Sequence, residues 1–223
     1  KIKEIVDHTL KNESLSEVVY SGVDLKKFSF NQGCFLHNFL GLPHDIKLVG
    51  NTSAIADQKD YFTFVDVAKE VFKKRKDVRF VVIGTGPMES QIKAYVKNQK
   101  LENVVLFTGF LANLPDILFN LDVFLITSKT EGLGTSILDA FACGVPVVAT
   151  RAGGIGEIVI DNRTGSLCPV RDVLSLSQKV LERLEDKDTF ESQEFVLQFS
   201  KEATCEKTFK AYQNVMSSLN CLV

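Results

Sequence analysis

The apolar positions along the chain fall into two rhythms that alternate from about residue 47 onward. Phe80-Val81-Val82-Ile83 and Val123-Phe124-Leu125-Ile126 are unbroken apolar runs without polar alternation, so both faces of these strands are expected to be buried, as in a parallel sheet covered by helices on both sides. Runs of the same kind predict strands over residues 47–50, 79–84, 103–108, 122–127 and 145–150, with a short sixth over 166–168. Between them lie segments of helical spacing. Residues 59–75 carry Phe62, Val65, Ala68, Val71 and Phe72 on one stripe, and 88–97, 113–119 and 136–143 follow the same period. Two long helices are predicted over 173–184 and 201–219, with a shorter one over 189–199. Such alternation predicts an α/β fold, a Rossmann-like doubly wound parallel sheet of about six strands with helices on both faces. Residues 1–46 do not share the rhythm: Val18-Val19-Tyr20 is a strand candidate, and residues 26–43 read as an irregular connection. The chain thus divides into a leading segment, 1–46, and a Rossmann-like domain, 47–223.

Composition narrows the class. With 26 Lys and Arg against 28 Asp and Glu, the net charge is −2, which excludes a strongly basic nucleic-acid or membrane-surface binder. Hydrophobic residues at 45% and charged ones at 24% suit a globular chain with a sizeable core. The five Cys are far apart and form no C-x-x-C pair, so neither a disulfide framework nor a zinc site is indicated and a reducing, cytoplasmic setting is expected. No apolar run approaches the roughly 20 residues of a membrane span, and Lys1-Ile2-Lys3-Glu4 is no signal peptide. The basic cluster Lys73-Lys74-Arg75-Lys76 ends a predicted helix, where cations complement the macrodipole.

Ligands of a doubly wound sheet bind beyond the carboxyl ends of its strands. Three loops there are unusual: Gly50-Asn51-Thr52-Ser53, then Gly84-Thr85-Gly86-Pro87, and the richest, Thr127-Ser128-Lys129-Thr130-Glu131-Gly132-Leu133-Gly134-Thr135. In the last, Gly132 and Gly134 strip side chains from the start of a helix, whose free N–H groups favour an anion, phosphate above all. One helix end contributes roughly 0.3–1 kcal/mol, so a cation should assist, with Lys59 and Lys129 the candidates. Glu131 has the wrong charge for phosphate and suits hydroxyl donors such as those of a sugar. Asp139, one turn past Thr135, suits a ribose diol. The plainer alternative is that Thr135 or Ser136 caps the helix and the glycines serve turns. At Gly153-Gly154-Ile155-Gly156-Glu157 a simple turn and a close backbone approach are both open. A nicotinamide-dinucleotide domain would need G-x-G-x-x-G after the first strand, which Gly50-Asn51-Thr52-Ser53-Ala54-Ile55 lacks.

The run from Glu131 to Thr150, followed by Gly153-Gly154-Ile155-Gly156-Glu157, resembles the retaining glycosyltransferases of the GT4 type on the GT-B fold. Ile83-Gly84-Thr85-Gly86-Pro87, Thr108-Gly109-Phe110 and Asp161-Asn162-Arg163-Thr164-Gly165 extend the resemblance over roughly residues 47–170, and residues 18–24 with Phe28 resemble that family's interdomain linker. The chain therefore reads as the C-terminal, donor-binding half of such an enzyme. The resemblance implies that Glu131 and Asp139 are its two motif carboxylates. Glu131 would hold donor-sugar hydroxyls at the catalytic centre, and Asp139 the ribose. The amides of Gly132, Leu133, Gly134 and Thr135 would face the diphosphate with Lys59, and the backbone near Phe110 would meet the base, with Gly84 and Gly86 in the neighbouring loop. Two departures stand out. Asp139 is shorter than Glu by one methylene, about 1.5 Å, and Asn51 stands where the family usually carries Arg, with Lys129 or Arg151 as possible replacements. The implied substrates are a nucleoside-diphosphate sugar, such as a UDP-sugar, and an acceptor hydroxyl. The acceptor, a glycan, lipid or other hydroxyl compound, would be bound by an N-terminal domain that could also dock on a membrane. No metal or other cofactor is expected, and the fragment alone should bind donor and transfer nothing. The alternative is a nucleotide-binding module of the same fold without catalytic activity.

Overall fold

A computed structural model describes residues 7–8, 17–28, 33–185 and 191–220. Six strands form one parallel sheet: β1 (Lys47–Thr52), β2 (Val78–Ile83), β3 (Val105–Gly109), β4 (Val123–Ile126), β5 (Val147–Thr150) and β6 (Ser166–Cys168). Their order is β3-β2-β1-β4-β5-β6. This is the doubly wound order whose switch point lies between β1 and β4. The helices are α1 (Phe35–Leu40), α2 (Tyr61–Lys74), α3 (Glu89–Asn98), α4 (Leu114–Leu118), α5 (Thr135–Ala142), α6 (Val173–Glu185), α7 (Ser192–Phe195) and α8 (Lys201–Asn220).

The unbroken apolar runs are explained by two cores, one on each face of the sheet. Phe80 and Val82 of β2, with Val123 and Leu125 of β4, point into a core built with α2, α3 and α6. Val81, Ile83, Phe124 and Ile126 point into the other, built with α4, α5 and the segment before β1. Because successive strand side chains face opposite ways, a strand buried on both sides must be apolar at every position. On α2 the stripe of Phe64, Val65, Ala68 and Val71 is fully buried against the sheet.

The leading segment is less irregular than its sequence suggests. Val18-Val19-Tyr20 does not form a strand. The pairing falls instead at Val23, whose N–H donates to Phe199 O at 2.8 Å and whose carbonyl accepts from Lys201 N at 3.0 Å. Residues 26–43, expected to be irregular, contain the end of a 3-10 turn, Leu25–Lys27, and the helix α1. Leu36 of α1 is fully buried, and Leu36 N donates to Asn120 Oδ1 at 2.9 Å. Within the helix expected over 189–199, residues 189 and 190 lie outside the described residues, and 192–199 form α7 followed by a 3-10 turn, Val196–Phe199. Cys221 also lies outside the described residues.

Candidate active site

The loops leaving β1, β4 and β5 meet at the carboxyl edge of the sheet. The helix predicted from residue 59 starts later, at Tyr61, because Asp60 adopts a left-handed φ of 47°. Lys59 therefore ends a separate 3-10 turn, Asp57–Lys59. Thr127 Oγ1 donates to the carbonyls of Lys59 and Asp60, each at 3.1 Å, and Lys129 N donates to Gln58 O at 2.8 Å. These bonds carry Lys59 from the β1 loop across the switch point to the β4 loop, where its ammonium pairs directly with Glu131 Oε2. Ser128 Oγ donates to the same oxygen at 3.3 Å. Lys129 is engaged by Asp57, at 2.7 Å, whereas Arg151 is exposed and forms no ion pair with the described residues.

Beyond Glu131 the chain turns through Gly134, left-handed at φ 79°, into α5. The amides of Gly132, Leu133, Gly134 and Thr135 have no hydrogen-bond partner among the described residues. Four free N–H groups at the start of a helix form an electropositive pocket for an anion. The loop after β5 supports it from behind. Gly154 N donates to Glu131 O at 3.1 Å, and a Cβ on Gly153 or Gly154 would come within 1.8 Å of Glu131 O or 1.9 Å of Gly132 O. Between the two readings open for this loop, close backbone approach is the one realised.

A cleft of about 420 Å³ lies at the loops leaving β1, β2 and β3, lined by Ser53, Gly84, Thr85, Phe110, Leu111 and Ala112 among others. Phe110 is 76% exposed, and its backbone N–H and C=O are both unbonded among the described residues. An exposed aromatic ring with a free donor and acceptor beside it is suited to a heterocyclic base. Gly84 lines this cleft. Gly86 is not among its lining residues, and a Cβ built there would come within 2.4 Å of Ile55 O, so the position needs glycine for the close approach of the two loops.

Asn51, expected beside the diphosphate, is inside the protein. It belongs to β1 and is 1% exposed, its Nδ2 donates to Leu125 O at 2.7 Å and its Oδ1 accepts from Tyr61 OH at 3.3 Å. A short amide that bridges two strands is spent on the fold, so no positive or polar group reaches the site from this position. Asp139 is half-buried on α5. Burial pushes its carboxyl up to about 6, opposed by the charge of Lys27. Burial and the nearby Asp139 push the Cys143 thiol up to about 12, which makes it a poor nucleophile.

The structure thus pairs Lys59 with Glu131 ahead of the free amides of 132–135, sets Gly84 and Phe110 in a cleft at the carboxyl edge of the sheet, and half-buries Asp139 on α5. Sequence reasoning missed Ser128, Asp57 and Lys27. Ser128 stood in the loop already singled out; for Asp57 and Lys27 no local pattern marked a role. Among the described residues no cluster of His, Cys, Asp or Glu could hold a metal ion, and no helix is long and apolar enough to cross a membrane.

Comparison with known proteins gives the family and the fold. The family model for glycosyl transferases group 1 matches residues 35–203. N-acetyl-alpha-D-glucosaminyl L-malate synthase of Bacillus anthracis is 29% identical over 195 residues, covering 82% of this chain and 50% of the relative. An uncharacterized glycosyltransferase of Methanocaldococcus jannaschii is 30% identical over 221 residues, covering 98% and 58%. The chain spans about half the length of the curated relatives it matches. Among solved structures, Anabaena HepE in complex with UDP superposes with a TM-score of 0.86 at 22% identity, over 95% of this chain and 61% of that one. The C-terminal domain of the group 1 protein LpcC from Francisella tularensis does so at 0.68 and 24% identity, over 79% of this chain and 97% of that domain. With its six-stranded doubly wound sheet and its glycine-rich loop opening α5, the chain belongs to the glycosyl transferases group 1 family and has the Rossmann-like fold of the C-terminal half of GT-B enzymes.

Proposed function

We propose that this chain is the donor-binding half of a retaining glycosyltransferase, taking a nucleoside-diphosphate sugar whose sugar passes to an acceptor hydroxyl bound by another part of the enzyme. The observation that carries this reading is the Lys59/Glu131 pair leading into four amides that are free among the described residues, with a cleft lined by Phe110 at the same carboxyl edge of the sheet. Diphosphate would lie on the amides of residues 132–135 with Lys59 as counter-ion, the base against Phe110, and the sugar hydroxyls at Glu131. Anabaena HepE has been solved with UDP and glucose, which favours a nucleotide sugar as the ligand class.

Cleaving the anomeric carbon–oxygen bond moves negative charge onto the departing diphosphate. Amides and an ammonium already aimed at that position stabilise the charge as it develops, without reorganising. Glu131 would hold the sugar in register by accepting from its hydroxyls. With the acceptor held elsewhere, the fragment alone should bind donor without transferring it.

Thermal unfolding with UDP, GDP and ADP tests the donor site. At 100 times its dissociation constant, a ligand selective for the folded state adds about 2.7 kcal/mol of stability, so at least one of the three should raise Tm by several degrees. No shift with any of them would refute the donor-site assignment.

A further inference from the structure

Lys59 and Glu131, which the reading above assigns to different parts of one ligand, are bonded to each other. Lys59 Nζ pairs with Glu131 Oε2, and the two side chains are only 15% and 16% exposed. Ser128 Oγ holds the same oxygen. Lys129, the other cation of the β4 loop, is likewise neutralised by Asp57. A phosphate arriving here must therefore share or compete for an ammonium that already holds a carboxylate. Parting a shielded pair leaves each member poorly hydrated unless it finds a new partner.

The possible ligands differ in what they return. A nucleoside diphosphate gives Lys59 a new anion, but it brings no sugar beyond its diphosphate to supply Glu131 with hydroxyl donors, and it adds like charge beside it. A nucleotide sugar supplies phosphate oxygens to Lys59 and hydroxyl donors to Glu131, so both halves of the pair are satisfied again. We infer that the Lys59/Glu131 pair is a latch that makes Glu131 a specificity-determining residue, disfavouring the sugar-free nucleoside diphosphate relative to the intact donor. The inference rests on the donor-site reading. Its consequence is weak retention of the nucleotide product: once the sugar has left, Glu131 recaptures Lys59 and promotes release.

Titration calorimetry on the 223-residue chain with UDP, GDP and ADP tests this. Glu131→Gln keeps the shape and removes the charge. It should bind whichever diphosphate the native chain accepts about tenfold more tightly, the span of a partly buried charged hydrogen bond. Ser128→Ala, which loosens Glu131 without touching its charge, should tighten binding in the same direction by a smaller factor, and it stands as the measurement if Glu131→Gln does not fold. Lys59→Met should bind more weakly. Equal or weaker binding in Glu131→Gln, or in Ser128→Ala where it stands alone, overturns the latch and leaves the donor site intact. If no diphosphate binds the native chain, the donor-site reading itself falls, and the latch with it.

Discussion

Asp139 shows how one side chain couples the site to pH. Its carboxyl is half-buried and pushed up from 3.8 to about 6, first by loss of water and against the opposing charge of Lys27. The folded carboxyl therefore keeps its proton to higher pH than the unfolded one, and folding takes up a proton between roughly pH 4 and 6. Asp139 accordingly lowers stability as pH rises through that window, and the loss persists above it. Asp139→Asn removes the ionisation. The Tm of this variant relative to the native chain should climb from pH 4 to about 6 and then level off, measured by scanning calorimetry. A difference independent of pH would mean that the carboxyl does not titrate there. The sequence marked Asp139 as one methylene short of the family's glutamate, yet the charge that opposes its shift belongs to Lys27, more than a hundred residues earlier in the chain.

At the scale of elements, the seam between β1 and β4 positions the site. Their backbone ladder registers Val49 with Val123 and Gly50 with Phe124. One step further the Asn51 side chain takes over, donating to Leu125 O, with Tyr61 of α2 bracing its other end. Asn51→Ala would strip a partner from a buried carbonyl, a loss of about 1–3 kcal/mol. Chemical denaturation should register that loss while affinity for nucleoside diphosphate stays within about twofold, since the amide points into the protein. A large fall in affinity without loss of stability would return Asn51 to the ligand site. The strands and helices themselves were legible because burial on one or two faces leaves a period in the sequence. The strand ending that put Asn51 in a loop was not, because a polar residue in a buried strand is explained only by the carbonyl that it satisfies.

Across the whole molecule, one sheet separates two cores that share every central strand, with Phe64 fully buried in one and Phe141 in the other. Phe64→Ala and Phe141→Ala should each cost about 3–5 kcal/mol and lower the same single transition, followed by far-UV circular dichroism and calorimetry. Two separated transitions would show that the faces unfold independently. The doubly wound class, the six strands and the glycine-rich helix start were determined by the sequence alone, because burial and backbone freedom restrict residue type position by position. Only the tertiary structure decided that Lys59 is held by Glu131 and Lys129 by Asp57, pairs each 72 residues apart, that Asn51 turns inward, and that residues 23–28 and 33–46 contribute to a core face. Those outcomes depend on which loops the strand order brings together, and attraction between charges reads distance in space, which no local pattern of residues contains.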